Sequence, residues 1–256
     1  MVIDVNVNYG IWPFRRFEIN TVKKIEEKLK KNGIDYAFIS HLGCVFNFQE
    51  VEEYNKELIE KIKNHRRLNL LPVINPKVCD IEEIENLKAI KIIPGYHFYS
   101  LNDRNFNTLF KKINDKKILL FIQMRYEDER SHHPLFKVKP PALEEIKQFA
   151  LNFPEIRIIL LCGYFNEIVQ LCKIENIYSD ISFVEHYKTI KSLLCKIPAD
   201  KILFGSHTPF LYLESQIAKI KYAEVKEEEI EKISFKNFSL LWGGIPSFLL
   251  KTGWRS

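Results

Sequence analysis

Apolar and polar residues alternate along this chain in two registers. Short runs rich in Ile, Val, Leu and Phe are each followed by a Glu/Lys-rich stretch with helical spacing of its apolar residues. The first pattern reads as strand and the second as amphipathic helix. Strands are predicted at 2–9, 34–40, 68–74, 89–93, 117–124, 156–162, 177–182 and 201–206. Helices are predicted near 20–32, 48–64, 80–87, 105–114, 141–152, 164–173, 187–195 and 214–223. Asn32-Gly33 supplies a stop for the first helix, and Pro140-Pro141 suits the start of the fifth. Eight strand–helix units in 256 residues fit an α/β fold of the (β/α)8 TIM-barrel kind. A doubly wound open sheet would need a glycine-rich phosphate turn after the first strand. Val7-Asn8-Tyr9-Gly10-Ile11-Trp12 does not supply one. No linker divides the chain, so a single barrel domain over 1–256 is expected, with helices from about 226 packing on it.

Composition narrows the classes without choosing a function. Hydrophobic residues make up 46%, which excludes disorder over most of the length. Lys plus Arg is 38 against 33 Asp plus Glu, a mild net charge of +5. No dense basic tract with interleaved aromatics is present, so no nucleic-acid partner is expected. No apolar stretch reaches the roughly 18 residues a membrane span requires, and the N-terminus reads as a strand, not a signal peptide. Cys44, Cys79, Cys162, Cys172 and Cys195 are widely spaced and include no C-x-x-C. That argues against a disulfide framework and for a reducing, cytoplasmic location. A homo-oligomer is left open.

The histidines carry the first chemical signal. His41, His97, His132, His133, His186 and His207 each fall just after the C-terminal end of a predicted strand, and His65 alone ends a helix. Barrel active sites are built from the loops on that face. Histidine is suited to proton transfer near neutrality and to metal ligation. The first strand adds a second signal. By its period of two, Asp4, Asn6 and Asn8 share the inner face, with Ile3, Val5 and Val7 on the other. Buried polar groups on a barrel wall need partners.

Gln123 and Arg125 share a face at the end of the fifth strand. In the charged segment that follows, Glu127, Asp128, Arg130 and His133 form a cluster suited to an anionic substrate and an oriented general base. Trp12, followed by Pro13-Phe14-Arg15-Arg16, is expected at the rim of the mouth. Pro94-Gly95-Tyr96-His97-Phe98-Tyr99 brings further aromatics there, and Glu185-His186 is a weaker pair. Glu227-Glu228-Glu229 reads as a solvated helix face.

Several segments together resemble the amidohydrolase superfamily, in the branch that includes aminocarboxymuconate-semialdehyde decarboxylase. IDVNVNYG resembles the opening I-D-x-H-x-H-x-G, and ILLFIQMR the fifth strand that ends in a metal-binding His. RIILLCGYF resembles the sixth strand and ENIYSDISF the seventh. ADKILFGSHTPF is similar to A-D-R-I-L-F-G-S-D-x-P-F, and SFKNFSLLW to the terminal Asn-bearing helix. The family's ligand positions are changed together: Asn6 and Asn8 replace two His, Gln123 and Cys162 replace two more, and His207 replaces the Asp. Amides are poor zinc ligands, so the usual metal centre is not expected.

Three readings follow. In the first, a metal-independent hydrolase or decarboxylase-like lyase uses His207 as general acid/base, with His97 or His133 as the second candidate. Arg125 or Arg130 would hold a substrate carboxylate, and Asn6, Asn8 and Gln123 would orient polar atoms. In the second, His97, His133 and His207, with Asp128, form a relocated site for a divalent metal such as zinc. In the third, the barrel binds a small molecule without catalysis. Cys162 is a further substrate-site candidate and reads equally as an inert buried thiol.

Overall fold

The computed structural model describes residues 1–134 and 136–244, so the last twelve residues of the predicted domain lie outside the described residues. All eight predicted strands are present: β1 Ile3–Tyr9, β2 Tyr36–His41, β3 Leu68–Leu70, β4 Ala89–Ile92, β5 Leu119–Gln123, β6 Ile158–Leu161, β7 Ile177–Asp180 and β8 Ile202–Leu203. Neighbours pair in parallel in the order β1-β2-β3 and β4-β5-β6-β7-β8. Backbone hydrogen bonds cross both gaps. Lys91 N donates to Pro72 O and Ile74 N to Lys91 O, each at 2.8 Å. On the other side, Val5 N donates to Phe204 O at 3.0 Å and His207 N to Asn6 O at 2.8 Å. The eight strands therefore form the wall of a (β/α)8 barrel.

Alternation along each strand sorts side chains into two apolar layers. Ile90, Ile92, Leu120, Ile122, Ile158, Leu160 and Ile177 face the surrounding helices. Ile3, Val5, Phe38, Ala89, Leu119, Phe121, Ile159, Leu161 and Leu203 fill the barrel. The C-terminal segment closes the lower end. Glu227–Glu231, a π-helical turn Lys232–Lys236 and Asn237–Leu241 run on from one another. Asn237 Nδ2 donates to the carbonyls of Ala199 (2.7 Å) and Ile202 (2.8 Å). The Phe238 ring meets Phe38 edge-on with centroids 4.7 Å apart.

Three local expectations change. The helix expected over 80–87 is a single 3-10 turn, Ile81–Ile84, capped by Asp80. Residues 76–78 form a turn, with Val78 N and Cys79 N donating to Asn75 O, and little length remains before β4. The strand expected over 68–74 holds regular pairing only through Leu70, and Pro72, without an N–H, contributes its carbonyl alone. The third change lies in β1, whose register against β2 shifts between Asp4 and Val7. Asp4 pairs with Ala37 and Val7 with Ile39, so β1 has one residue more than β2 in this interval. Such a bulge reverses the alternation. Ile3 and Val5 fill the barrel and Val7 faces the helices. Asp4 lies on the side of Ala37 and is not on one face with Asn6 and Asn8.

Candidate active site

Above its apolar lower half, the barrel interior turns polar. Asn6, Asn8, Lys91, Gln123, Asp180 and His207 are all buried to within 1% of complete. They come from β1, β4, β5, β7 and the segment after β8, and are joined by Cys162 after β6. Asn6 Nδ2 donates to Asp180 Oδ2 at 2.8 Å and to Cys162 Sγ at 3.3 Å. Two further groups donate to the same sulfur, Gln123 Nε2 at 3.1 Å and Ser182 Oγ at 3.5 Å. Lys91 Nζ donates to Asn8 Oδ1 at 3.4 Å and lies 5.1 Å from the Tyr126 ring centroid. The five positions that the resemblance marks as altered ligands thus meet in one cluster.

The bonds of His207 define its state. Nε2 lies 2.7 Å from the Tyr126 carbonyl, which can only accept, so Nε2 carries the proton. Nδ1 then accepts from Asn8 Nδ2 at 3.3 Å. Burial lowers its pKa to about 3, only partly offset by the Tyr126 bond. His207 is a neutral, doubly bonded core histidine, which does not suit the general acid/base role. Burial also sets its neighbours. The Lys91 ammonium is lowered to about 8, and the Asp180 carboxyl is raised despite its hydrogen bonds to Asn6, Cys162 and Ser182. Burial pushes the Cys162 thiol up to about 12, far from an activated nucleophile.

A cavity of about 430 Å³ opens over this cluster. Its lining includes the aromatic rings of Tyr126, Tyr164, Phe183 and Phe210 with Arg15 and Arg130. Tyr126, Phe183 and Phe210 also pack on His207, with centroids 5.8, 5.4 and 4.5 Å away. The same three rings form the floor of the cavity and the roof of the polar cluster. Arg15 is fixed by a 2.9 Å bond from Nη2 to the Phe210 carbonyl.

Several other sequence candidates stand elsewhere. Arg125 is buried and already paired: Nη1 and Nη2 bond the Glu167 carboxylate at 2.7 and 2.6 Å, and Tyr164 stacks on its guanidinium at 3.8 Å. It is not available to a substrate carboxylate. Asp128 grips Arg130 at 2.7 and 3.0 Å. The Arg130 bond lowers its pKa to about 2, so it is no base, but both residues line the cavity. Glu127 Oε2 accepts from Trp12 Nε1 at 2.9 Å. Trp12 is buried in an aromatic roof with Phe46, Tyr126 and Phe210 and is not a wall of the rim. His97 Nε2 donates to Cys44 O at 2.8 Å, and burial lowers its pKa to about 4. His133 stacks on Phe14, 5.5 Å away, at the surface.

His97, His133 and His207 therefore do not converge with Asp128. Among the described residues, no three His, Cys, Asp or Glu side chains are grouped as metal ligands. The donor chemistry of the central cluster agrees. Its carboxylate, Asp180, and its sulfur, Cys162, already accept from amide N–H groups, and the Lys91 ammonium stands beside Asn8, so a cation finds no free set of donors. The residues present do not fit a divalent ion. Lys91, Asp180, Glu167, Phe183 and Phe210 had no role in the sequence reading. A lysine in phase with Ala89 inside an otherwise apolar strand was the available signal for Lys91.

No family model matches the chain, and no curated protein matches it. Solved structures do. A 2,6-dihydroxybenzoate decarboxylase bound to 2,6-dihydroxybenzoate aligns at a TM-score of 0.76 and 12% identity, over 94% of this chain and 98% of that one. A Polaromonas dihydroxybenzoic acid decarboxylase with bound manganese and 2-nitroresorcinol gives 0.73 and 13%, over 94% and 96%. An amidohydrolase II protein gives 0.69 and 13%, over 95% and 100%. The chain has the barrel fold of these amidohydrolase-type proteins and decarboxylases over nearly its whole length. Among the described residues, no helix is long and apolar enough to cross a membrane.

Proposed function

We propose that this protein is an amidohydrolase-like enzyme, of the decarboxylase-like lyase or hydrolase type, that takes a small anionic molecule into the mouth cavity and works without the family's metal. One observation carries the reading: the rings that floor the cavity also roof the polar cluster, so their displacement joins the two. Arg15 supplies positive charge at the entrance, where Arg130 is paired with Asp128, and the aromatic walls suit a planar ring. Small aromatic carboxylates are the favoured class, in line with the 2,6-dihydroxybenzoate bound in one neighbour. Below the floor, Asn6, Asn8 and Gln123 would orient polar atoms. Gln123 Oε1 and Tyr126 Oη are buried with no partner among the described residues, which supports a polar guest there. Lys91, lowered to about 8 by burial and still protonated at neutral pH, replaces His207 as the group suited to donate a proton. The free state of all five cysteines supports a cytoplasmic location.

A second reading, binding without turnover, is favoured by the closed floor. Both are tested by incubating the protein with hydroxybenzoates and other aryl carboxylates, following melting temperature and product formation together. Stabilisation by about 5–10 °C at a hundredfold excess over Kd, with consumption, is the expected result. Stabilisation without consumption selects the binding reading. No response to any anionic aromatic compound contradicts both.

A further inference from the structure

The resemblance implies a divalent cation at the barrel centre, and this chain places a side-chain cation there. We propose that Lys91 is the resident cation of the former metal site, with Asp180 as its counter-charge, and that the pair closes the centre to divalent metals. The inference rests on the metal-free part of the function proposed above, not on the substrate.

Lys91 extends from the inner face of β4 and is completely buried. Its ammonium bonds Asn8 Oδ1, the side chain standing at an altered ligand position, and the Tyr126 ring flanks it. A buried ammonium needs a compensating negative charge. Asp180, completely buried at the end of β7, is the carboxylate of the same cluster, linked to Lys91 through Asn8, His207 and Asn6. The Asp180 carboxylate is held by Asn6 Nδ2 (2.8 Å), Ser182 Oγ (2.9 Å), Cys162 N (3.0 Å) and Ser182 N (3.4 Å).

The backbone also makes room for this group. A Cβ added at Gly205 would lie 2.5 Å from Asp180 Oδ2, so the wall opposite is bare where the carboxylate sits. The amide groups of Asn6 and Gln123 present N–H to their neighbours, which serves an anion or a sulfur lone pair and not a metal. A divalent ion placed among these groups would meet the Lys91 charge without screening by solvent.

Two measurements test this. The wild-type protein is equilibrated with manganese or zinc, passed through a desalting column and analysed for metal. Far less than one equivalent is expected. A full retained equivalent overturns the proposal, because the described residues offer no other three-ligand group. The second measurement compares the melting temperatures of Lys91→Met, Asp180→Asn and the double variant. Each single change should lower melting by roughly 10 °C, as an uncompensated buried charge does, and the double variant should recover most of that loss. Additive losses overturn the pairing. If a single variant does not fold, the wild-type metal analysis decides. A protein that ignores every aryl carboxylate yet stays metal-free, with the two residues coupled, would sink the substrate reading and leave this one standing.

Discussion

His207 is held neutral by its bonds as well as its burial, and this has a measurable pH consequence. Its folded pKa of about 3 lies below the ordinary histidine value of 6.5. Between those values the unfolded chain binds a proton that the folded chain does not. Its contribution to stability is therefore complete above pH 6.5 and is lost as pH falls toward 3. His97, also depressed by burial, acts in the same direction. Asp4, raised to about 7 by burial, acts in the opposite one, since its contribution fades as pH rises through 7. A comparison with His207→Gln cancels both. The wild-type advantage in urea unfolding should shrink by about 1.4 kcal/mol per pH unit below 6.5. A pH-independent gap would show that His207 is not the neutral group described. At this scale the sequence exposed Asn6, Gln123 and His207 because a known pattern marks their places. Arg125 looked like a substrate anchor because its partner, Glu167, comes from the helix Phe165–Leu171 after β6 and follows no local spacing.

Among the elements, strands were the most legible. Both faces of a barrel strand are buried, so each appears as a continuous apolar run. The β1 bulge could not be read, because it is defined only by the residue count on β2. It shifts Asp4 off the inner face while leaving Asn6 and Asn8 on it. In the segment after 226, Phe238 packs edge-on against Phe38 within the barrel's apolar interior. Phe238→Ala should cost about 3–5 kcal/mol, as for other buried phenylalanines, and lower the urea midpoint. A loss below about 1 kcal/mol would mean that the lower end can collapse around the gap.

The whole molecule separates two environments that the sequence could only place at the same end. Above lies a cavity of about 430 Å³ lined by aromatic rings and by charged side chains of both signs, and below lies a buried polar centre. Between them stand Tyr126, Phe183 and Phe210, each in contact with His207. Convergence was legible because a barrel gathers its strand ends on one face. Closure was not, because it depends on how aromatic rings from three loops meet. The account predicts a centre whose charge is carried by the chain itself. Diffraction from crystals grown with manganese, at a wavelength where manganese scatters anomalously, tests this most directly. The expected map has no anomalous peak among Asn6, Asn8, Gln123 and His207, and shows the Lys91 ammonium against Asn8. A peak bonded to those side chains would contradict the account.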